Sequence, residues 1–213
     1  MISENKKNAR YAGLWWLLFI VIGPISYLIV DGKLLIPDDP TATIGNINSH
    51  VALFWLGVAV FLAGYTCFIM LAKTLCKLFK PVDAKLTKWM MLLVIIGTSL
   101  VIIGKITEIM STYVSNINDA TFLLNLRINI EMICELFWGL WLIPLALLIL
   151  KSNLIPKAIG WILFTTVAYH ILAFVVFFIS GTDISTDPVL VILGMGEIIT
   201  TLWLLIKGVK TQK

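Results

Sequence analysis

Residues 121–151 read TFLLNLRINIEMICELFWGLWLIPLALLILK. About 20 apolar residues suffice for a helix to cross a bilayer, and this run exceeds that. Yet its first half carries Arg127, Glu131 and Glu135 at four-residue intervals. A helix stacks such residues along one face. A charge at bilayer depth costs roughly 2.5–3.5 kcal/mol on insertion scales, so these side chains are expected to face a protein interior or a wet cavity. The segment therefore needs partner helices around it.

Five further apolar runs supply them. The spans are expected at about residues 11–30, 51–71, 89–110, 122–150, 158–180 and 189–206. Composition agrees: 60% of the 213 residues are hydrophobic and 13% charged, against about 45–50% and 25% in globular domains. The expected fold class is an all-α polytopic membrane protein, one six-helix transmembrane bundle over residues 1–213. The first run ends in SYLIVDG, with no small-x-small cleavage site, so it reads as a retained span and not a signal peptide. Gly23-Pro24 in the first span and Pro144 in the fourth are expected to kink their helices. Asp39-Pro40 reads as an N-cap followed by proline at the first helical position, opening a short helix over residues 40–48.

Charge sets the orientation. The N-terminus, the Lys-rich loop expected at residues 73–88, the 151–160 turn and the tail hold nearly all of the lysines and arginines. The other three connections hold Lys33 against Asp31, Asp38, Asp39, Asp119, Asp183 and Asp187. By the positive-inside rule both termini are cytoplasmic, and the chain is a multi-pass protein of the cell membrane. Trp15, Trp89, Tyr113, Trp161 and Trp203 fit interfacial belts. The net charge of +4 is a topology signal spread over short loops, not a nucleic-acid stripe. Cys67 and Cys134 fall inside apolar runs and Cys76 in the Lys-rich loop, so no disulfide is expected and Cys76 reads as a surface thiol.

Within the spans, the candidate polar pocket comprises Lys105, Glu108, Arg127, Glu131, Glu135, His170, Glu197, Thr200 and Thr201. At about 1.5 Å per residue, Lys105, Glu108, Arg127 and Glu131 lie in the outer part and Glu135, His170 and Glu197 deeper. Glu108 and Arg127 also suit an interface, and Lys105 can snorkel. Glu135 and Glu197 are too short to snorkel far from where they sit. Thr200 and Thr201, one turn from Glu197, are placed to hydrogen-bond across helices. Glu135, Glu197 and His170 are ligand types for a metal, but their spacing carries no metal motif. Asp38 and Asp39 have calcium-ligand chemistry, although the charge asymmetry already accounts for them. No serine elbow, HExxH or glycine-rich phosphate loop is present, and no cofactor is implied.

Short motifs run through most of the chain. Arg10-x-Ala12-Gly13 enters span one, and Thr41-Ala42 and Asn46-Ile47 precede span two. Lys151-Ser152, Ile155-Pro156-Lys157 and Gly160 follow span four. Gly196-Glu197, Leu202-Trp203-Leu204 and Lys207-Gly208-Val209 mark the last span. In these the chain resembles the six-span bacterial and archaeal domain-of-unknown-function family four-three-eight-six. The resemblance implies a six-span topology and an acid at Glu197, and it carries no activity.

Three function classes fit these residues. The first is a membrane protein whose polar pocket, open to the outer side, binds or passes a small solute, proton or cation. The second is a structural or accessory protein whose charges fix helix packing. The third is an intramembrane enzyme acting on a lipid or through a metal. The deep acids favour the first. The bilayer is the expected partner, and two cations against four acids leave a charge excess that protons, a charged His170 or a bound cation would offset.

Overall fold

The structure is a computed structural model that describes residues 2–37, 39–184 and 187–210, with side chains for all of these except 2, 3, 28 and 29. Asp38 and Lys213, which entered the charge count above, lie outside them, and with Asp38 its calcium reading. Among the described residues the chain is helical, with no strand.

Helix α1 (Ile2–Ile25) contains Pro24, and the next residues, Ser26–Asp31, take up a π-helix before the single turn α2 (Gly32–Leu34). A proline lacks the amide its i−4 carbonyl needs, and a widened turn is one way to absorb that loss. Helix α3 (Pro40–Ser49) begins as expected: Asp39 accepts from the Ala42 amide at 2.9 Å, with proline at the first position.

Two expected loops are shorter than their polar sequence suggests. Helix α4 (Val51–Phe79) runs past residue 71, and α5 (Ala84–Ser111) starts before residue 89. The extension of α4 is amphipathic. Leu71, Leu75, Leu78 and Phe79 are buried while Lys73 and Lys77 stay outside that stripe. Cys76 thus sits on a helix, half-buried, its Sγ 3.4 Å from the Thr87 carbonyl oxygen, and not on a surface loop. All three cysteines are free. Helix α6 (Ile117–Lys151) likewise begins inside the expected outer turn, with Asn116 as its cap, and stays one helix through Pro144.

The last span differs most. After α7 (Lys157–Ser180), two pieces follow, α8 (Pro188–Gly194) and α9 (Gly196–Ile206), bent by about 40° at Met195. Glycines on both sides of Met195 weaken the helix there. The Leu193 carbonyl accepts instead from the Thr166 hydroxyl of α7 at 2.9 Å. A Cβ on Gly196 would collide with Thr166 Oγ1, so the close approach of α9 to α7 requires glycine.

Helices α1, α4, α5, α6 and α7 are each long and apolar enough to cross a membrane, and the bent α8–α9 pair makes up to a sixth span. They close into a bundle. α4 contacts α1 and α5, α6 lies between α5 and α7, and α9 returns to α1 and α7. One half of the bundle is a continuous apolar core around Trp16, Phe68, Leu75, Met90, Trp141 and Leu204. The outer surface is apolar too: Ile179 is 80% exposed, Val189 73% and Ile192 68%. An exterior with that many exposed apolar side chains calls for lipid or a partner.

Candidate functional site

Above the apolar core, the titratable residues fall into two sets joined by α6. The first set holds the π-helix, α5 and α6 together. Lys105 and Glu108 lie one turn apart on α5, and Lys105 Nζ donates to both Glu108 oxygens at 2.9 and 2.8 Å. Arg127 of α6 places Nε 2.6 Å from Glu108 Oε2 and Nη2 2.9 Å from Glu131 Oε1. The Nε contact is an ion-pair approach and not an aligned hydrogen bond. Asp31, at the end of the π-helix, stands 3.7 Å from Lys105 and 3.5 Å from Arg127. The Lys105 ammonium also lies 5.0 Å from the Phe61 ring centroid. Glu108 is only 1% exposed. This set places three carboxylates around two cations.

The second set spans α6, α7, α9 and α1. His170 Nδ1 lies 2.7 Å from Glu135 Oε2, and its Nε2 lies 3.4 Å from Glu197 Oε1. Trp16 Nε1, fully buried, donates to Glu197 Oε2 at 3.1 Å. A neutral imidazole offers one donor and one acceptor. Here both ring nitrogens face a carboxylate oxygen, and Glu197 has the Trp16 indole as a second, independent donor.

Local structure sets this geometry. Gly139 lets α7 approach α6: a Cβ there would meet His170 Cβ at 3.1 Å and the Val167 carbonyl oxygen at 3.3 Å. The break at Met195 starts α9 afresh, so Glu197 sits in its first turn, where the helix dipole complements a carboxylate.

A cavity of about 300 Å³ connects the sets. Asp31, Arg127, Glu131 and Glu135 line it together with Asp183 from the connection after α7. Much of the remaining wall is aromatic, from Phe19, Phe61, Tyr65 and Trp138.

Lys105, Glu108, Arg127 and Glu131 thus meet in one set, and Glu135, His170 and Glu197 in the other. Among the described residues Thr200 and Thr201 make no hydrogen bond to another helix. Thr200 Oγ1 donates to the Gly196 carbonyl of its own helix at 2.7 Å, the back-bond a helical threonine makes with the preceding turn, and Thr201 Oγ1 is buried without a hydrogen-bond partner among the described residues. Sequence reasoning missed Asp31 and Trp16. Asp31 lies one residue past the expected end of span one and was absorbed by the charge count. Trp16 is one of a Trp-Trp pair in an apolar run, where nothing marks which indole turns inward. Among the described residues, no three His, Cys, Asp or Glu side chains are grouped to hold a metal ion.

Fold and site together define an all-helical protein with apolar helices of membrane-spanning length and titratable side chains gathered inside the bundle. Within that class the chain belongs to the family described as a domain of unknown function (DUF4386), which matches residues 11–208. The matched range contains every member of both sets. No curated protein and no solved structure matches the chain.

Proposed function

We propose that this is a six-span protein of the cell membrane, both termini cytoplasmic, whose interior binds or passes a small solute, proton or cation reaching it from the outer side. The observation that carries the reading is His170 held between Glu135 and Glu197, beside a cavity that Glu135 also lines. The cavity wall includes Tyr27, Asp31 and Asp183. By the positive-inside argument these belong to the outer, acid-rich end, while the apolar core closes the basic end. Even with His170 charged, the two sets hold five carboxylates against three cations. An excess of that sign favours protons or cations over anions.

The outer set supports a structural role for itself, because Glu108 is buried with both oxygens bonded to Lys105. The exchanging group is then the second set. In proteoliposomes carrying an internal pH dye, the wild type should relax an imposed proton or cation gradient faster than empty vesicles. Glu135→Gln and Glu197→Gln, which keep shape and hydrogen bonding but not charge, should slow it. A wild type indistinguishable from empty vesicles overturns the reading and leaves the second set as packing.

A further inference from the structure

The cavity between the two sets has a composition that narrows its occupant. Its volume of about 300 Å³ is at the small end of ligand pockets, roughly 300–1,000 Å³. Its charged lining is Asp31, Glu131, Glu135 and Asp183 against Arg127 alone. Arg127 is already faced by Asp31, Glu108 and Glu131, so it offers little to an anion. Glu131 meets Arg127 through Oε1 and Glu135 meets His170 through Oε2. Among the described residues neither second oxygen has a hydrogen-bond donor, and neither is sealed from solvent. These two acids lie one turn apart on α6, on the wall of the cavity.

Aromatic rings make up much of the rest. Tyr65 and Trp138 stack at 5.8 Å, Phe61 lies 4.6 Å from Tyr65, and Phe19 lies edge-on to Tyr65 at 5.8 Å. One ring of this group already meets an ammonium, since Lys105 Nζ sits 5.0 Å from the Phe61 centroid. A small, hard metal ion needs several oxygens converging on one point. Here, among the described residues, no three His, Cys, Asp or Glu side chains are grouped to hold one. Spread carboxylates with aromatic walls suit a large, diffuse cation, as in the aromatic cages that recognise quaternary ammonium groups.

We propose that this cavity is a binding site for a small organic ammonium ion, with Glu131 and Glu135 supplying the counter-charge and Phe19, Tyr65 and Trp138 the apolar wall. The proposal rests on the reading above, that the interior takes up a small cation, and names its chemical class.

The test uses the full chain purified in maltoside micelles, which contain no ammonium group. Choline is compared with 3,3-dimethylbutan-1-ol, its uncharged carbon isostere, by thermal shift and tryptophan fluorescence at constant ionic strength. Choline should give a saturable rise in Tm and a fluorescence change, and the isostere neither. Glu135→Gln and Glu131→Gln should each weaken choline binding about tenfold, the scale of a lost charge contact beside aromatic rings. The wild-type comparison stands even if a variant fails to fold. Equal effects of the isostere, an equal effect of sodium chloride alone, or unchanged affinity in both folded Gln variants overturns the proposal. Glycerophosphocholine distinguishes the source: weaker binding than choline marks a free ammonium, and tighter binding marks a lipid headgroup, with the ammonium class retained in both. A protein that relaxes gradients in vesicles yet ignores choline overturns this inference and leaves the proposed function standing. One that binds choline and relaxes nothing keeps this inference and the binding half of that reading, and overturns the exchange proposed for the second set.

Discussion

Glu108 is the residue whose loss the structure prices most sharply. It is 1% exposed, takes both of its hydrogen bonds from Lys105 at 2.9 and 2.8 Å, and lies 2.6 Å from Arg127 Nε. Glu108→Gln removes the anion and leaves both cations buried. Their remaining partners are Asp31, no closer than 3.5 Å to either, and Glu131 on Arg127 alone. Breaking a buried pair from one side costs about 3–5 kcal/mol, because the other charge stays behind without compensation. For a chain of this size 1 kcal/mol moves Tm by about 2–4 °C, so the variant should melt roughly 6–20 °C lower in detergent. Removing both ends of the Lys105–Glu108 pair, as Lys105→Met with Glu108→Met, deletes charge and counter-charge together. It leaves Arg127 with Asp31 and Glu131. That double variant should be more stable than Glu108→Met alone. The assay is thermal unfolding followed by tryptophan fluorescence in one detergent. A loss under about 2 °C for Glu108→Gln, well below the buried-pair scale, would refute the reasoning. So would a double variant at least as unstable as the two single losses added together.

Other outcomes follow from different parts of the bundle. Reporter fusions at residue 213 and in the 181–188 turn should report opposite sides of the membrane; the same side for both sinks the six-span topology. Gly196→Ala should lower stability by about 1–3 kcal/mol, since its Cβ would meet Thr166 Oγ1 and the Ile162 carbonyl oxygen; thermal unfolding equal to wild type would show that the α7–α9 contact is loose. The Lys151 ammonium, 2.7 Å from Asp83 Oδ2, and the Leu86 and Lys85 amides hold the Asp83 carboxyl below its ordinary value. A lowered carboxylate contributes stability at neutral pH that disappears as pH falls through its folded-state value. Asp83→Asn should therefore melt lower than wild type at neutral pH and converge with it in acid, as read from Tm against pH; parallel profiles would mean that the ion pair contributes nothing.

How much of this was legible in the sequence depends on which signal each feature leaves. Span-length apolar runs are a bulk property, and five of the six appear as single helices. Boundaries fared worse because lysine misleads a hydropathy reading. Lys73 and Lys77 interrupt the apolar run, yet the helical stripe Leu71, Leu75, Leu78 carries α4 on for two more turns. The cap at Asp39-Pro40 was readable since capping is local chemistry. The break at Met195 was not read, although its glycines stand in plain sight. Its cause is tertiary, the Thr166 hydroxyl that takes the Leu193 carbonyl.

The site shows the same division between local and long-range information. Four-residue spacing stacks Arg127 and Glu131 on one helix face, where they meet at 2.9 Å as i,i+4 pairs do. It says nothing about Glu135, which continues the same stripe but turns to His170 on another helix. What separates Glu131 from Glu135 is the partner each meets, Arg127 of its own helix for one and His170 of α7 for the other. The break in the last span completes the second set. A straight helix through residues 188–206 would give Glu197 no special place along it. Interrupted at Met195, it puts Glu197 in the first turn of α9, between the imidazole of His170 and the indole of Trp16. The glycines that spoil the helix and the acid that follows them are therefore one device. Gly196 brings the backbone against α7, and the next residue delivers a carboxylate to the histidine that α7 presents.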